Sequence, residues 1–306
     1  MTIEPIKGRI AILYDSNAPL TPSNPKAIEK FQQAADKMNY EADIISRADS
    51  YRLHDYDILF IRDTTAINNY TYEMAMMAEN LGLIVVDDPK SIVVCCDKAK
   101  QFRLFKDNGI PIPLTYVIDK TCVRNPIINK LSRPYIVKNP YSCFSKGVYK
   151  VDAPTEYERF AYVLLEKLDK IIVQEFIQTE FDWRICIFGG RIIFACKYFM
   201  SPGHWKILKH TSKGEPIDGD SEGVDLKNVP IEVLEVALKA ASVIGDGLYG
   251  LDIKQKNGKV YVIEVNDNLN IDHGNEDALL GDKLYEDIIS RLVHLHRRKV
   301  FQSRDV

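Results

Sequence analysis

The sequence has no apolar run long enough to cross a membrane, for which a helix needs about 20 such residues in a row. Its first residues, Met1-Thr2-Ile3-Glu4-Pro5, lack the basic-then-apolar layout of a secretory leader. Basic charge is not in excess: 40 Lys and Arg stand against 43 Asp and Glu, a net of −3. That balance argues against a nucleic-acid partner, which usually meets a basic face, and against a polybasic membrane anchor. No CxxC pair or Cys/His cluster is spaced for zinc, and no Ser-His-Asp or Cys-His arrangement demands covalent catalysis. The six cysteines, at 95, 96, 122, 143, 186 and 196, partly fall in apolar runs such as Arg184-Ile185-Cys186-Ile187-Phe188. Buried, reduced thiols and a cytoplasmic setting are the expectation. What remains, with 46% apolar and 27% charged residues over 306 positions, is a soluble globular chain of two or three lobes.

Strand and helix patterns alternate in the first third. Arg9–Tyr14, Asp57–Ile61 and Leu83–Val86 read as buried strands, and 25–38 and 71–81 as helices, the second stopped by Gly82. This predicts an α/β domain of parallel units over residues 1–95. Asp97 is a good N-cap for a helix ending at Gly109, with Pro111 and Pro113 blocking its continuation. Short strands at 134–138, 147–151 and 171–175 flank a helix at 155–168, predicting an α+β unit over 96–175. A third unit, 176–306, holds a hairpin turning at Gly189-Gly190, a helix at 230–244, a second hairpin and a terminal helix from 282 to 299.

The second hairpin, Gly250–Asn266, turns at Asn257-Gly258. A two-residue loop would set Asp252 opposite Ile263. A three-residue loop, Lys256-Asn257-Gly258, pairs Gln255 with Lys259 and puts Asp252 opposite Val262, on the face of Glu264 and Asn266. The other face is then Leu251, Ile253, Tyr261, Ile263 and Val265. A one-residue slip flips every side chain, so the apolar pattern favours the second register. Two carboxylates and an amide oxygen on one half-buried face suit Mg²⁺, although a solvated acidic face has the same spacing.

Other segments add to this. Pro134-Tyr135-Ile136-Val137-Lys138 ends a buried strand on a lysine, followed by the small-residue loop Asn139–Gly147. Ile172-Val173-Gln174-Glu175-Phe176-Ile177 leaves a strand on a glutamate and an aromatic. With Glu264-Val265-Asn266, this order resembles the ATP-grasp superfamily over about residues 96–290, most closely its RimK-type amino-acid ligases, a group near the glutathione synthetases. The resemblance implies an ATP-grasp fold (α/β and α+β) behind a small α/β pre-ATP-grasp domain. It implies that Lys98 and Lys138 contact ATP phosphates and that Ser142, Ser145 and Gly147 belong to a loop over the triphosphate. Glu175, Phe176 and Ile177 would meet adenine, Asp182 the ribose, and Asp252, Glu264 and Asn266 two Mg²⁺ ions, with Mn²⁺ as a substitute.

Asp182-Trp183-Arg184 matches the acid-x-arginine step of RimK-type ligases, so Arg184 would fork onto an acyl phosphate. Counting from Gly189-Gly190 puts Lys197 opposite Asp182, and an ion pair there with Arg184 in solvent is the alternative. Where the family has Arg-Ser-Asn, this chain has Lys206-Ile207-Leu208, which keeps a charge but no fork. The run after the metal motif also differs, and Asp272 within it is a candidate for a substrate amino group. Arg62, at a strand end where open α/β sheets bind ligands, is a candidate for a substrate carboxylate. The implied activity is ATP-dependent amide formation through an acyl phosphate, adding an amino acid to an amino acid, peptide or protein terminus. A glutathione-synthetase-like small-molecule ligase, a nucleotide-binding regulator without turnover, and a homo-oligomer all remain open here.

Overall fold

The computed structural model describes residues 7–18, 21–124, 128, 130–142, 146–210 and 216–302. Its first lobe is a parallel sheet in the order β2-β1-β3-β4. The strands are β1 (Gly8–Leu13), β2 (Tyr40–Ile45), β3 (Ile58–Ile61) and β4 (Ile84–Val86). β1 and β3 are almost wholly apolar because they are covered on both faces. β2 was not apparent in the sequence, since Tyr-Glu-Ala-Asp-Ile-Ile carries acids on an outer strand. α1 (Pro25–Lys37) starts with proline in its first turn, and the Asn24 side chain accepts from the Ala27 amide. α2 (Tyr70–Asn80) ends before Gly82 at φ +82°. A short α3 (Pro89–Cys95), also unexpected, is capped by Asp88.

α4 (Lys98–Asp107) is capped by Asp97, as expected. A central antiparallel sheet follows in the order β5-β8-β6-β7. These strands are β5 (Thr115–Asp119), β6 (Tyr135–Lys138), β7 (Val148–Val151) and β8 (Lys170–Glu175), backed by α5 (Pro154–Leu165). Its core gathers Tyr135, Val137, Tyr157, Ala161, Ile171 and Val173.

The third sheet has the order β13-β10-β9-β14-β15. It comprises β9 (Phe181–Phe188), β10 (Arg191–Phe199), β13 (Ser221–Val224), β14 (Leu248–Lys256) and β15 (Lys259–Asn266); a separate short pair, β11 (Leu208–His210) and β12 (Pro216–Asp218), lies between β10 and β13 in the chain. One face rests on α4 and α6 (Ile231–Ser242), burying Phe102 and Phe105 with Trp183, Ile185, Leu251 and Val262. α4 therefore shares a core with this sheet, although the sequence groups it with the central unit. On the other face Cys186, Phe188 and Cys196 join Ile10, Phe31 and Phe60 of the first lobe and Leu284, Ile288 and Leu292 of the terminal helix α7 (Asp282–Gln302). That shared core seats the first lobe on the third. Between the third sheet and the central one lies a cleft.

Candidate active site

Both hairpins of the third sheet depart from simple counting in the same way. Asn257 (φ 51°) and Gly258 (φ 74°) form a two-residue turn with Lys256 paired to Lys259, so the three-residue loop expected from the sequence is not formed. The ladder holds to Ile253–Val262, then slips by one, leaving Ile263 as an extra residue in a β-bulge. Beyond it Asp252 lies opposite Glu264 and Gly250 opposite Asn266. The expected gathering of Asp252, Glu264 and Asn266 thus arises by a different route. The bulge turns Ile263 into the cleft with Glu264, whereas Val260, Val262 and Val265 are buried.

In the first hairpin the extra residue is Ile193. Lys197 consequently pairs with Trp183, and Asp182 stands opposite Tyr198, so the Asp182–Lys197 pairing is replaced. Asp182 instead meets Lys254, with Thr179 donating to it at 3.1 Å. Arg184 is buried, not in solvent, and forks onto Asp252 with Nε–Oδ1 2.6 Å and Nη2–Oδ2 3.1 Å.

The cleft encloses about 860 Å³, much of it open to solvent. Of the residues expected from sequence, Lys98, Lys138, Ser142 and Lys206 line it, as do Glu175, Phe176 and Ile177 at the crossing between sheets. Asp182, Asp252 and Glu264 form its floor. Lys98 Nζ donates to the Ser142 carbonyl at 2.6 Å and lies 3.4 Å from Glu264. Lys138 Nζ donates to Gln174 Oε1 at 3.0 Å and sits 4.7 Å above the Phe102 ring. Burial pulls Lys138 down to about 8. Lys206 reaches across the cleft to the Val148 carbonyl at 2.7 Å, and burial lowers it too. The Glu175 carboxylate accepts from the Leu114 amide at 3.2 Å, and Phe176 meets Trp205 edge to face at 5.7 Å. Gly147 (φ 63°) closes the loop after β6, its carbonyl accepting from the Asn139 amide at 2.9 Å. Ser145 lies outside the described residues.

Burial raises Asp252 despite Arg184, with Glu264 adding to the rise. Glu264 also feels burial, but Lys98 and Lys138 outweigh it and hold its carboxyl low. Among the described residues no three His, Cys, Asp or Glu side chains cluster as a metal cage. Two facing carboxylates and a nearby amide are nonetheless the donor set that a magnesium–phosphate site requires, since Mg²⁺ takes few protein ligands and shares phosphate oxygens. Here Arg184 and Lys98 supply the positive charge those carboxylates need.

Arg62 serves another purpose than the one expected. It is 0% exposed, and its donors go to Ser23 Oγ, the Pro22 and Leu269 carbonyls and Asn268 Oδ1, at 2.7–3.1 Å. It ties the loop after β15 to the loop before α1, with no donor turned to the cleft. Asp272 accepts from the Asn24 amide at 2.5 Å, in the same seam. Sequence reasoning missed Gln174, Lys254 and Trp205. Gln174 was readable as a polar residue in an otherwise apolar strand; Lys254 carried no signal apart from the hairpin register, and Trp205, in the segment between β10 and β11, none apart from its place beside Lys206.

The family model described as "RimK-like ATP-grasp domain" matches residues 95–288. A probable alpha-L-glutamate ligase of Vibrio vulnificus is 26% identical over 277 residues, covering 84% of this chain and 87% of that one. A coenzyme gamma-F420-2:alpha-L-glutamate ligase of Methanococcus maripaludis is 24% identical over 204 residues, covering 64% and 67%. In fold, the chain is similar to a D-alanine–D-alanine ligase of Bacillus anthracis complexed with ATP, with TM-score 0.71 at 17% identity over 97% of this chain and 99% of that one. It is also similar to a RimK domain ATP-grasp protein of Sphaerobacter thermophilus, with TM-score 0.67 at 16% identity over 93% and 99%.

Proposed function

The chain belongs to the RimK-like ATP-grasp family and is an ATP-dependent carboxylate–amine ligase; we propose that it activates an amino-acid or peptide carboxylate as an acyl phosphate and passes it to an amine. The observation that carries this reading is that Lys98 and Lys138 share one cleft with the facing carboxylates Asp252 and Glu264, and that the buried Arg184 pairs with Asp252 beside it.

ATP would enter with adenine beside Phe176, Ile177 and the apolar Ile263, and with its phosphates toward Lys98 and Lys138. Asp252, Glu264 and Asn266 would hold Mg²⁺, which neutralises phosphate charge when bound. A carboxylate oxygen attacks the γ-phosphorus and ADP leaves. The amine then attacks the acyl carbon, phosphate leaves, and the nitrogen loses a proton. Arg184, buried and paired with Asp252, would meet the acyl phosphate oxygens. The lobes position the reactants and keep out water that would hydrolyse the intermediate. Lys206 offers charge at the cleft wall. Free cysteines among the described residues fit a cytoplasmic setting.

The relatives named alpha-L-glutamate ligase make L-glutamate the first substrate to test. The protein is incubated with ATP, Mg²⁺ and a panel of amino acids and short peptides, and ADP and phosphate are measured. Amino-acid-stimulated ADP release is expected. ATP binding with no stimulation across the panel would instead favour a regulator without turnover.

A further inference from the structure

We propose that Tyr198 is a positioning residue for Arg184, itself anchored by Glu276. The proposal rests on the reading of Arg184 as the group that meets the acyl phosphate.

The Tyr198 ring lies 4.7 Å from the centre of the Arg184 guanidinium. The bulge at Ile193 puts it there: without the extra residue Lys197 would stand opposite Asp182, bringing a second cation beside Arg184 in place of a ring face. The Tyr198 hydroxyl donates to the carboxylate of Glu276, which is 2% exposed. Glu276 is fixed in turn, accepting from the Asp272 amide at 2.7 Å and the Asn275 side chain at 3.0 Å. Asp272 accepts from the Asn24 amide. A continuous set of contacts thus runs from the start of α1 to Arg184.

Arg184 is held on two sides, its edge by Asp252 and its face by Tyr198. The two holds respond differently to substrate. Asp252 is also a proposed magnesium ligand, so its hold on the arginine weakens when the ion binds. The ring makes no such exchange. Tyr198 therefore matters most in the loaded enzyme, where it keeps a long, rotamer-rich side chain aimed and lowers the entropy lost in reaching the transition state.

Tyr198→Leu, Tyr198→Phe and Arg184→Lys are compared in two measurements. The first is hydroxamate formation from each of the common amino acids, with hydroxylamine as the amine. Tyr198→Leu is expected to lower kcat about tenfold with the KM for ATP unchanged, and Tyr198→Phe, which keeps the ring, about threefold or less. The second is hydrogen exchange at the Arg184 Nε–H, followed by NMR with ¹⁵N-arginine and assigned by its loss in Arg184→Lys. Exchange is expected to quicken about tenfold in Tyr198→Leu and to stay near wild type in Tyr198→Phe. Unchanged exchange in folded Tyr198→Leu overturns the proposal, as does equal loss of kcat in Leu and Phe variants. Full activity in Arg184→Lys, or no hydroxamate from any amino acid, overturns the underlying reading of the site instead. The exchange measurement then still decides whether Tyr198 holds the guanidinium.

Discussion

Arg184 and Asp252 face each other on adjacent strands and form a buried two-point ion pair, Nε–Oδ1 2.6 Å and Nη2–Oδ2 3.1 Å. Burial alone would push the Asp252 carboxyl up; the guanidinium opposes that rise. The same carboxylate faces Glu264, so the pair holds the cleft floor together while keeping an acidic ligand available.

Removing the arginine leaves Asp252 buried without its cation. Arg184→Met is expected to destabilise the nucleotide-free protein by about 3 kcal/mol. The measurement is the denaturant midpoint at constant slope. Adding Mg²⁺ and a non-hydrolysable ATP analogue is expected to restore more stability to this variant than to wild type, because new positive charge meets Asp252.

Lys138 gives the site a pH dependence. Its folded pKa is lowered from the ordinary lysine value to about 8 by burial. Between about 8 and the ordinary lysine value of roughly 10.4 the unfolded chain binds more protons than the folded one, so this group makes stability rise with pH in that window. Phosphate binding needs the charged lysine, so ATP affinity is expected to fall above pH 8, and the fall should vanish in Lys138→Met. Gln174, which accepts from Lys138 and is oriented by Thr115 at 2.8 Å, tunes this limb. Gln174→Glu should move it to higher pH and Gln174→Leu to lower pH, as read from the Kd of ATP between pH 7 and 10.

Two glycines in one hairpin should behave oppositely. A Cβ on Gly250 would lie 2.5 Å from Leu269 Cβ and 3.4 Å from Arg184 Cδ. Gly250→Ala is expected to displace the loop after β15 and to abolish ligation. A Cβ on Gly258 meets nothing within 4 Å, but its φ of +74° disfavours a side chain. Gly258→Ala should cost about 1 kcal/mol of stability with kcat unchanged.

Arg62 should show a structural signature. Arg62→Met strands the Pro22 and Leu269 carbonyls in the seam between lobes. A loss of about 3 kcal/mol or more is expected. The KM for ATP should hold in the folded fraction, measured below the melting transition.

Much of the cleft was legible because its charged residues end strands, begin a helix or share one hairpin. Lys138 ends β6, Glu175 ends β8, and Asp252, Glu264 and Asn266 share the last hairpin. The registers were not, because Ile193 and Ile263 look like any other apolar strand residue and their bulges follow from packing, not alternation. Two side chains changed partner for that reason: Asp182 met Lys254, and Tyr198 took the place expected of Lys197. Arg62 was placed correctly at a strand end, but a strand end does not reveal that another lobe covers it. β2 and β5 escaped notice because each pairs at a margin of its sheet and carries polar residues there.

The central claim is that a carboxylate oxygen becomes bonded to the γ-phosphorus. It is tested most directly with a substrate in which both carboxylate oxygens are ¹⁸O. After turnover with ATP and Mg²⁺, the released phosphate is analysed by mass spectrometry. The account predicts one ¹⁸O in each phosphate formed with amide, and none of this product from Glu264→Gln. Phosphate free of ¹⁸O, or AMP and pyrophosphate as products, would contradict it.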